Sequence, residues 1–122
     1  MKLERNPPIE ILYMASIYRS HYIYDLAIKM LRELIEMNAK SSAPDYTWVA
    51  IAQYNLAEVY SDQGNFILAK EMYKQAAESW CKVRPRSPDS MMWYSAALLG
   101  LQKHTDRLIE EAHLSRERED TA

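Results

Sequence analysis

Apolar positions at three-four spacing divide the chain into helical segments. Ile9, Leu12, Tyr13, Ser16 and Ile17 follow that spacing from a start near Pro8, a residue suited to the first helical turn. A break is expected at 19–23. Leu26, Ala27, Met30, Leu31, Leu34 and Ile35 then form one broad face, which predicts a helix from Tyr24 to Asn38. Ala39-Lys40-Ser41-Ser42-Ala43-Pro44-Asp45 is built of small residues and turn formers and reads as a loop. A third helix is predicted from Tyr46 to Gln63. Gly64-Asn65 is a stop followed by a start: glycine closes one helix in a left-handed conformation and asparagine caps the next. The fourth helix runs from Phe66 to Val83. Ser87 and Pro88 open a fifth, to Lys103. Thr105 and Asp106 read as the cap and first-turn acid of a sixth, to Glu119. Its tail, Arg116 to Asp120, alternates sign without apolar residues and is expected to fray into solvent.

The helices repeat. Residues 9–38 are echoed at 51–80, always 42 positions later. Ile9/Ile51, Ala15/Ala57, Tyr18/Tyr60, Leu26/Leu68, Ala27/Ala69, Met30/Met72 and Glu36/Glu78 are identical. Met14/Leu56, Ile17/Val59, Tyr24/Phe66 and Arg32/Lys74 are close in size and chemistry. The matches fall on small and apolar positions, where a packed helix is least free to vary, and a fixed period of this size marks a repeat architecture. Aligning Thr105 with Asn65 extends the pattern at an offset of 40, pairing Tyr54/Tyr94, Ala57/Ala97, Leu68/Leu108 and Glu71/Glu111. The expectation is one all-α domain over 1–122. It has three helix-turn-helix pairs, at about 8–39, 46–83 and 88–119, and so six helices.

Composition narrows the function. A chain of 122 residues with 48% hydrophobic content can bury a core, and two glycines with five scattered prolines suit long elements. A net charge of −2 gives no electrostatic pull toward nucleic acid or anionic membrane. Lys82, Arg84 and Arg86 form a short basic cluster without a row of aromatics, which also argues against nucleic acid. No stretch approaches the roughly 18 apolar residues of a membrane span, and Met1 to Pro8 lacks an apolar signal segment. The single cysteine, Cys81, cannot form an internal disulfide, which points to a reducing, cytoplasmic setting.

Leu56-Ala57, Tyr60, Gly64, Phe66, Ala69, Tyr73 and Ala76, with Pro85 at the end, resemble the tetratricopeptide repeat. The first pair, Met14-Ala15, Tyr18, Tyr24, Ala27, Leu31 and Leu34, has Tyr22 where the pattern has its turn glycine. The third keeps Trp93, Ala97 and Leu108, with Gly100 and Ile109 in place of the consensus Tyr and Ala. The family period is about 34 residues. The longer unit here is similar to the repeats of kinesin light chains and of some bacterial peptide-sensing regulators. Asn55-Leu56-Ala57-x-x-Tyr60-x-x-Gln63-Gly64-x-Phe66-x-x-Ala69 is close to their characteristic run. The resemblance implies a right-handed α-α superhelix. Ala15, Ala57 and Ala97 would lie where the first helix of a pair meets its second. Ala27 and Ala69 would lie where the second helix meets both neighbours. Tyr18 and Tyr60 would fill the wedge between pairs.

Such arrays bind an extended segment or a helix in the groove lined by the first helices of the pairs. Carried over residue by residue, the wall comprises Leu12, Ser16 and Arg19, then Ile51, Tyr54, Asn55, Glu58 and Asp62, then Met91, Tyr94, Ser95 and Leu98. One family variant clamps a chaperone tail's carboxylate with Lys, Arg and Asn. The matching positions here are Leu12, Ser16, Asn55, Met91 and Ser95, of which Asn55 alone fits, so no such clamp is expected. In the long-repeat relatives an asparagine at this place bonds the ligand's backbone, since an amide offers both donor and acceptor. The other reading of Asn55 is a tie inside the array. Glu58 and Asp62, with Asp45 upstream, read either as an attraction for a basic segment or as a solvated acidic stripe. Met30 and Met72 take equivalent core positions, and Met91 would face the groove as an adaptable apolar contact.

Little chemistry is encoded. His21 and His104 fall at predicted turns and are expected to be exposed. Glu110-x-x-His113 has a di-metal spacing, but one copy does not make that site. Cys81 sits at a helix C-terminus, the wrong end to stabilise a thiolate. Phosphate loops, nucleophile elbows and Cys-x-x-Cys pairs are absent from the sequence. The reading is a non-catalytic, cofactor-free module for a protein or peptide partner, without nucleic acid or membrane. Two alternatives stand beside it. Leu108, Ile109, Ala112 and Leu114 leave the sixth helix partly apolar, which suits a homo-oligomer or a segment of a larger helical assembly. A regulatory peptide-sensing module is the other.

Overall fold

The computed structural model describes residues 7–121. Residues 1–6, where the lack of a leader was read, and Ala122 lie outside them. Five helices follow one another: α1 (Pro7–Ser20), α2 (Tyr24–Ala39), α3 (Tyr46–Asp62), α4 (Phe66–Cys81) and α5 (Pro88–Thr121). Among the described residues there is no strand, and no helix is long and apolar enough to cross a membrane. Each helix packs on the next in sequence, and α1 also reaches α3.

The 42-residue echo extends to the backbone. In the second pair the Asn65 N–H donates to the Tyr60 carbonyl at 2.9 Å, and the Gly64 N–H to the Ser61 carbonyl at 3.0 Å. In the first, the Ile23 N–H donates to the Tyr18 carbonyl at 2.8 Å, and the Tyr22 N–H to the Arg19 carbonyl at 3.0 Å. Both turns are the same helix-closing motif, whose hinge residue must be left-handed. Gly64 has φ +77° and Tyr22 has φ +61°. A residue with a Cβ pays about 1–2 kcal/mol there. Tyr22 is mostly exposed and makes one edge contact, to Tyr24. Tyr22→Gly is therefore expected to raise stability by about 1 kcal/mol in chemical denaturation.

Local side chains fix the joins. The Asn65 side chain accepts from the Leu68 N–H and caps α4; that of Asp45 accepts from the Thr47 N–H and caps α3. The loop between the pairs is stapled at both ends of one amide: Asn38 Nδ2 donates to the Asp45 carbonyl at 3.1 Å and its Oδ1 accepts from the Asp45 N–H at 2.7 Å. Ser87 and Ser90 cap α5 reciprocally, each side-chain oxygen accepting the other's backbone N–H.

The expected sixth helix is not separate. α5 runs unbroken for 34 residues through the predicted turn at 103–105. Gly100 is not left-handed, and no glycine or asparagine follows to close a helix. Thr105 does not cap: its hydroxyl donates to the Leu101 carbonyl at 2.8 Å, as a threonine inside a helix does. His104 is not an exposed turn residue either. It is 3% exposed, Nδ1–H donates to the Gly100 carbonyl at 2.7 Å, and Nε2 lies 2.9 Å from the Ser61 hydroxyl.

The core is lined by alanines where helices approach. Ala27, Ala57, Ala69 and Ala97 are 0% exposed and Ala15 is 3% exposed, so a larger side chain at any of them would separate backbones. Leu31, Leu34, Leu56, Val59, Tyr60 and Tyr73 fill the space between the pairs. A second cluster of Ala50, Ala76, Ala77, Trp80, Val83 and Ala97 joins α3 and α4 to α5.

Candidate functional site

The face shared by α1 and α3 brings together six of the residues expected in the groove. Leu12, Ser16 and Arg19 come from successive turns of α1, and Asn55, Glu58 and Asp62 from successive turns of α3. Leu12, Ser16, Arg19 and Asn55 surround a small hollow floored by Ala15, Leu31 and Val59. A larger opening of about 430 Å³ continues from it past Ser16, Ser20, Tyr22, Tyr24 and Asp62.

Electrostatics divide this face. Arg19 Nε donates to Asp62 Oδ2 at 2.6 Å, and Nη2 reaches Asp62 Oδ1 at 3.2 Å and Glu58 Oε2 at 3.1 Å. The bond to Asp62 is the main reason the guanidinium is held above its ordinary pKa. The two acids are thus not a bare stripe: a cation from the neighbouring pair already answers them. The groups are about a third exposed, so solvent keeps the contribution to stability small. Asp45 does not join them, since it caps α3.

Asn55 is the contrasting group. It is half-buried at the hollow, and its side-chain amide has no hydrogen-bond partner among the described residues. The alternative reading, a tie inside the array, has no bond to support it.

Further along α3 the wall turns aromatic. Tyr54 meets Tyr73 and Trp93 edge-on, at centroid distances of 5.6 and 5.4 Å, and Trp93 stacks on Trp80 at 6.2 Å. Burial, and then Glu58, push the Tyr54 hydroxyl's pKa up. Ile51 lines a shallow opening with Trp93 and Trp80. Trp93 is therefore the α5 residue that continues this wall, and the groove reading missed it. Trp93 is a repeat-signature residue in the sequence, but the 40-residue offset pairs Tyr54 with Tyr94, one position beyond it.

The remaining expected residues sit elsewhere. Met91 and Tyr94 border a hollow with Trp80, Cys81, Arg86 and Ser90, between α4 and α5, to which α3 contributes nothing. The neighbouring Cys81 thiol pushes the Tyr94 hydroxyl's pKa up. Ser95 and Leu98 follow on the same side of α5, one and two turns on, and are exposed.

The family model described as Tetratricopeptide repeat matches residues 9–82, more than half of the chain. The chain belongs to the tetratricopeptide repeat family. The match spans α1 to α4, the two echoed pairs, and ends before α5. No curated protein and no solved structure matches the chain. Tetratricopeptide repeats generally mediate protein–protein interactions and are typically non-catalytic. The α1–α3 face is, in this tetratricopeptide protein, the surface that the first helices of both pairs share.

Proposed function

We propose that this protein holds an extended peptide segment of a partner protein against the α1–α3 face. The observation that carries the reading is the Asn55 amide, poised at a hollow with its donors and acceptor unanswered. One amide can accept from and donate to a single peptide unit. Leu12 and the aromatic edge of Tyr54 and Trp93 offer apolar contact on either side. The Arg19–Glu58–Asp62 cluster leaves one excess negative charge, which favours a neutral or basic segment over an acidic one.

The 42-residue period and the run around Asn55 support the long-repeat, kinesin-light-chain-like subtype, with the pairs following a right-handed superhelix. A scaffold role that needs no catalysis, in a cytoplasmic setting where Cys81 stays reduced, accords with this reading.

The test is selection of linear peptides on the intact protein, followed by affinity measurement on Asn55→Ala. Losing the paired hydrogen bonds is expected to weaken binding about tenfold with unchanged thermal stability. Selected peptides that bind Asn55→Ala as tightly as the parent remove the groove reading.

A further inference from the structure

Tyr22 holds a strained backbone where the echoed pair uses a relaxed one. Gly64 closes the second turn at φ +77°, and Tyr22 closes the first at φ +61° with a Cβ that the left-handed region disfavours. The core gains nothing from this side chain. It is 79% exposed, and its ring meets that of Tyr24 edge to face, at 6.2 Å and 86° between planes. Backbone strain of this kind collects where a side chain has work to do. The Tyr22 ring lines the opening of about 430 Å³, with Ser16, Arg19, Ser20, Tyr24 and Asp62. In an edge-to-face pair each ring keeps at least one face free of the other, so this opening has an accessible aromatic wall.

The charges make the opening acidic. Arg19 is shared by Asp62 and Glu58, which leaves one excess negative charge. The Asp62 side chain is 32% exposed and keeps carboxylate surface toward the opening. Among the described residues no lysine and no second arginine lines it, and His21 and Asp25 stand outside its walls. Asp25 lies in the first turn of α2, where it offsets the positive end of a helix that Ile23 leaves without a side-chain cap. An anion would find few donors. The Arg19 nitrogens are engaged by carboxylates, and the Ser20 hydroxyl donates to the Ile17 carbonyl at 2.7 Å.

We propose, resting on the peptide-binding reading above, that this opening takes an arginine side chain of the bound segment. Its guanidinium lies on the Tyr22 ring and its charge is answered by Asp62. A planar guanidinium stacks on an aromatic face and still presents donors at its edge to a carboxylate, which a lysine ammonium does less well. Tyr22 is then the residue that selects the side chain, and Asn55 the one that holds the backbone. Stability and binding have opposite signs at this position: Tyr22→Gly relieves the strain and removes the ring.

The probe is N-acetyl-arginine amide, titrated into the isotopically labelled chain. The ring signals of Tyr22 and Tyr24 are expected to shift and saturate, with a dissociation constant of about 10 mM. The norleucine and glutamate counterparts are expected to give no saturable shift. Tyr22→Phe keeps the ring face and is expected to bind as the parent does. Tyr22→Leu keeps the strain and the bulk and is expected to bind at least about threefold more weakly. Tyr22→Gly is expected to bind as weakly as Tyr22→Leu while melting at a higher temperature. Asn55→Ala is expected to leave binding of this probe unchanged, because Asn55 lines the smaller hollow. Failure of the Asn55 test with selected peptides thus removes the backbone contact, and failure of the Tyr22 test removes the arginine site. A parent chain without a saturable shift overturns the assignment. So does equal binding of the norleucine or glutamate probe, a Tyr22→Leu chain that binds as tightly as the parent, or loss of the probe in Asn55→Ala.

Discussion

Gly100→Ala is expected to lower stability by about 1–2 kcal/mol, although the same change inside an ordinary helix raises it by up to about 1 kcal/mol. The sign is set by one neighbour. A Cβ on Gly100 would lie 2.6 Å from both Cδ1 and Cε1 of Tyr73 and 2.9 Å from its Cγ. These are ring atoms, not the end of a flexible chain. The ring is itself flanked by Tyr54, at 5.6 Å, and His104, at 5.0 Å, which oppose its displacement. Tyr73 is 5% exposed, and burial raises the pKa of its hydroxyl far above the ordinary phenol range. The added methyl must push α5 away from α4. Overpacking of this kind costs about 1–3 kcal/mol, which exceeds the gain from helix propensity. Urea denaturation of both proteins checks it, with the change read in the midpoint at constant slope. A more stable variant would mean that Gly100 merely weakens α5 and that the close approach to Tyr73 does not exist.

Leu31→Ala is expected to cost more, about 2–5 kcal/mol. Leu31 is 1% exposed. It belongs to the cluster that joins the first pair to α3, and it forms part of the floor beneath Asn55. Its removal leaves a cavity under the proposed binding face, between Ala15 and Val59 on the floor of the hollow. The control is Leu99→Ala, on a side chain 71% exposed, which is expected to change stability by less than about 0.5 kcal/mol. Equal losses from the two variants would contradict the assignment of the core.

The first four helices were legible because the joins around α3 and α4 carry local signals and the 42-residue echo transfers them to α1 and α2, where Ile23 provides no side-chain cap. Asp45 and Asn65 are capping residues and act as caps, and Gly64 is the left-handed closer that its position demanded. The small-residue echo also translated directly into burial, since Ala15/Ala57 and Ala27/Ala69 mark close approach and nothing else. The break expected before a sixth helix failed for the same reason in reverse. Thr105 has two uses, capping a helix or bonding back inside one, and without a closing glycine nearby the second prevails. His104 and Trp93 were misjudged because their surroundings come from other helices. The Ser61 hydroxyl and the Phe66 and Tyr73 rings enclose His104 from α3 and α4, and no spacing along α5 announces them.

The candidate face was partly legible. The α1 and α3 residues came together because the echo fixes their register through one shared turn motif. The pairing of Arg19 with Asp62 and Glu58 was not foreseen, since it depends on how far α1 sits from α3, which no repeat period encodes. The α5 residues diverged because α5 does not fold back as a pair. Once its second half continues straight, the packing of its first half follows Trp93, Ala97 and Gly100, and Met91 and Leu98 turn outward.

The central claim is that partner recognition is written on the α1–α3 face, where the two echoed pairs differ in sequence. The most direct measurement is a titration of isotopically labelled protein with a selected linear peptide, followed by amide nuclear magnetic resonance. The side-chain amide of Asn55 is expected to shift, together with the backbone of Leu12, Ser16, Arg19 and Tyr54, while the α5 residues beyond Ile109 stay fixed. Shifts confined to α2, α4 or distal α5, with the Asn55 amide unmoved at saturation, would contradict it.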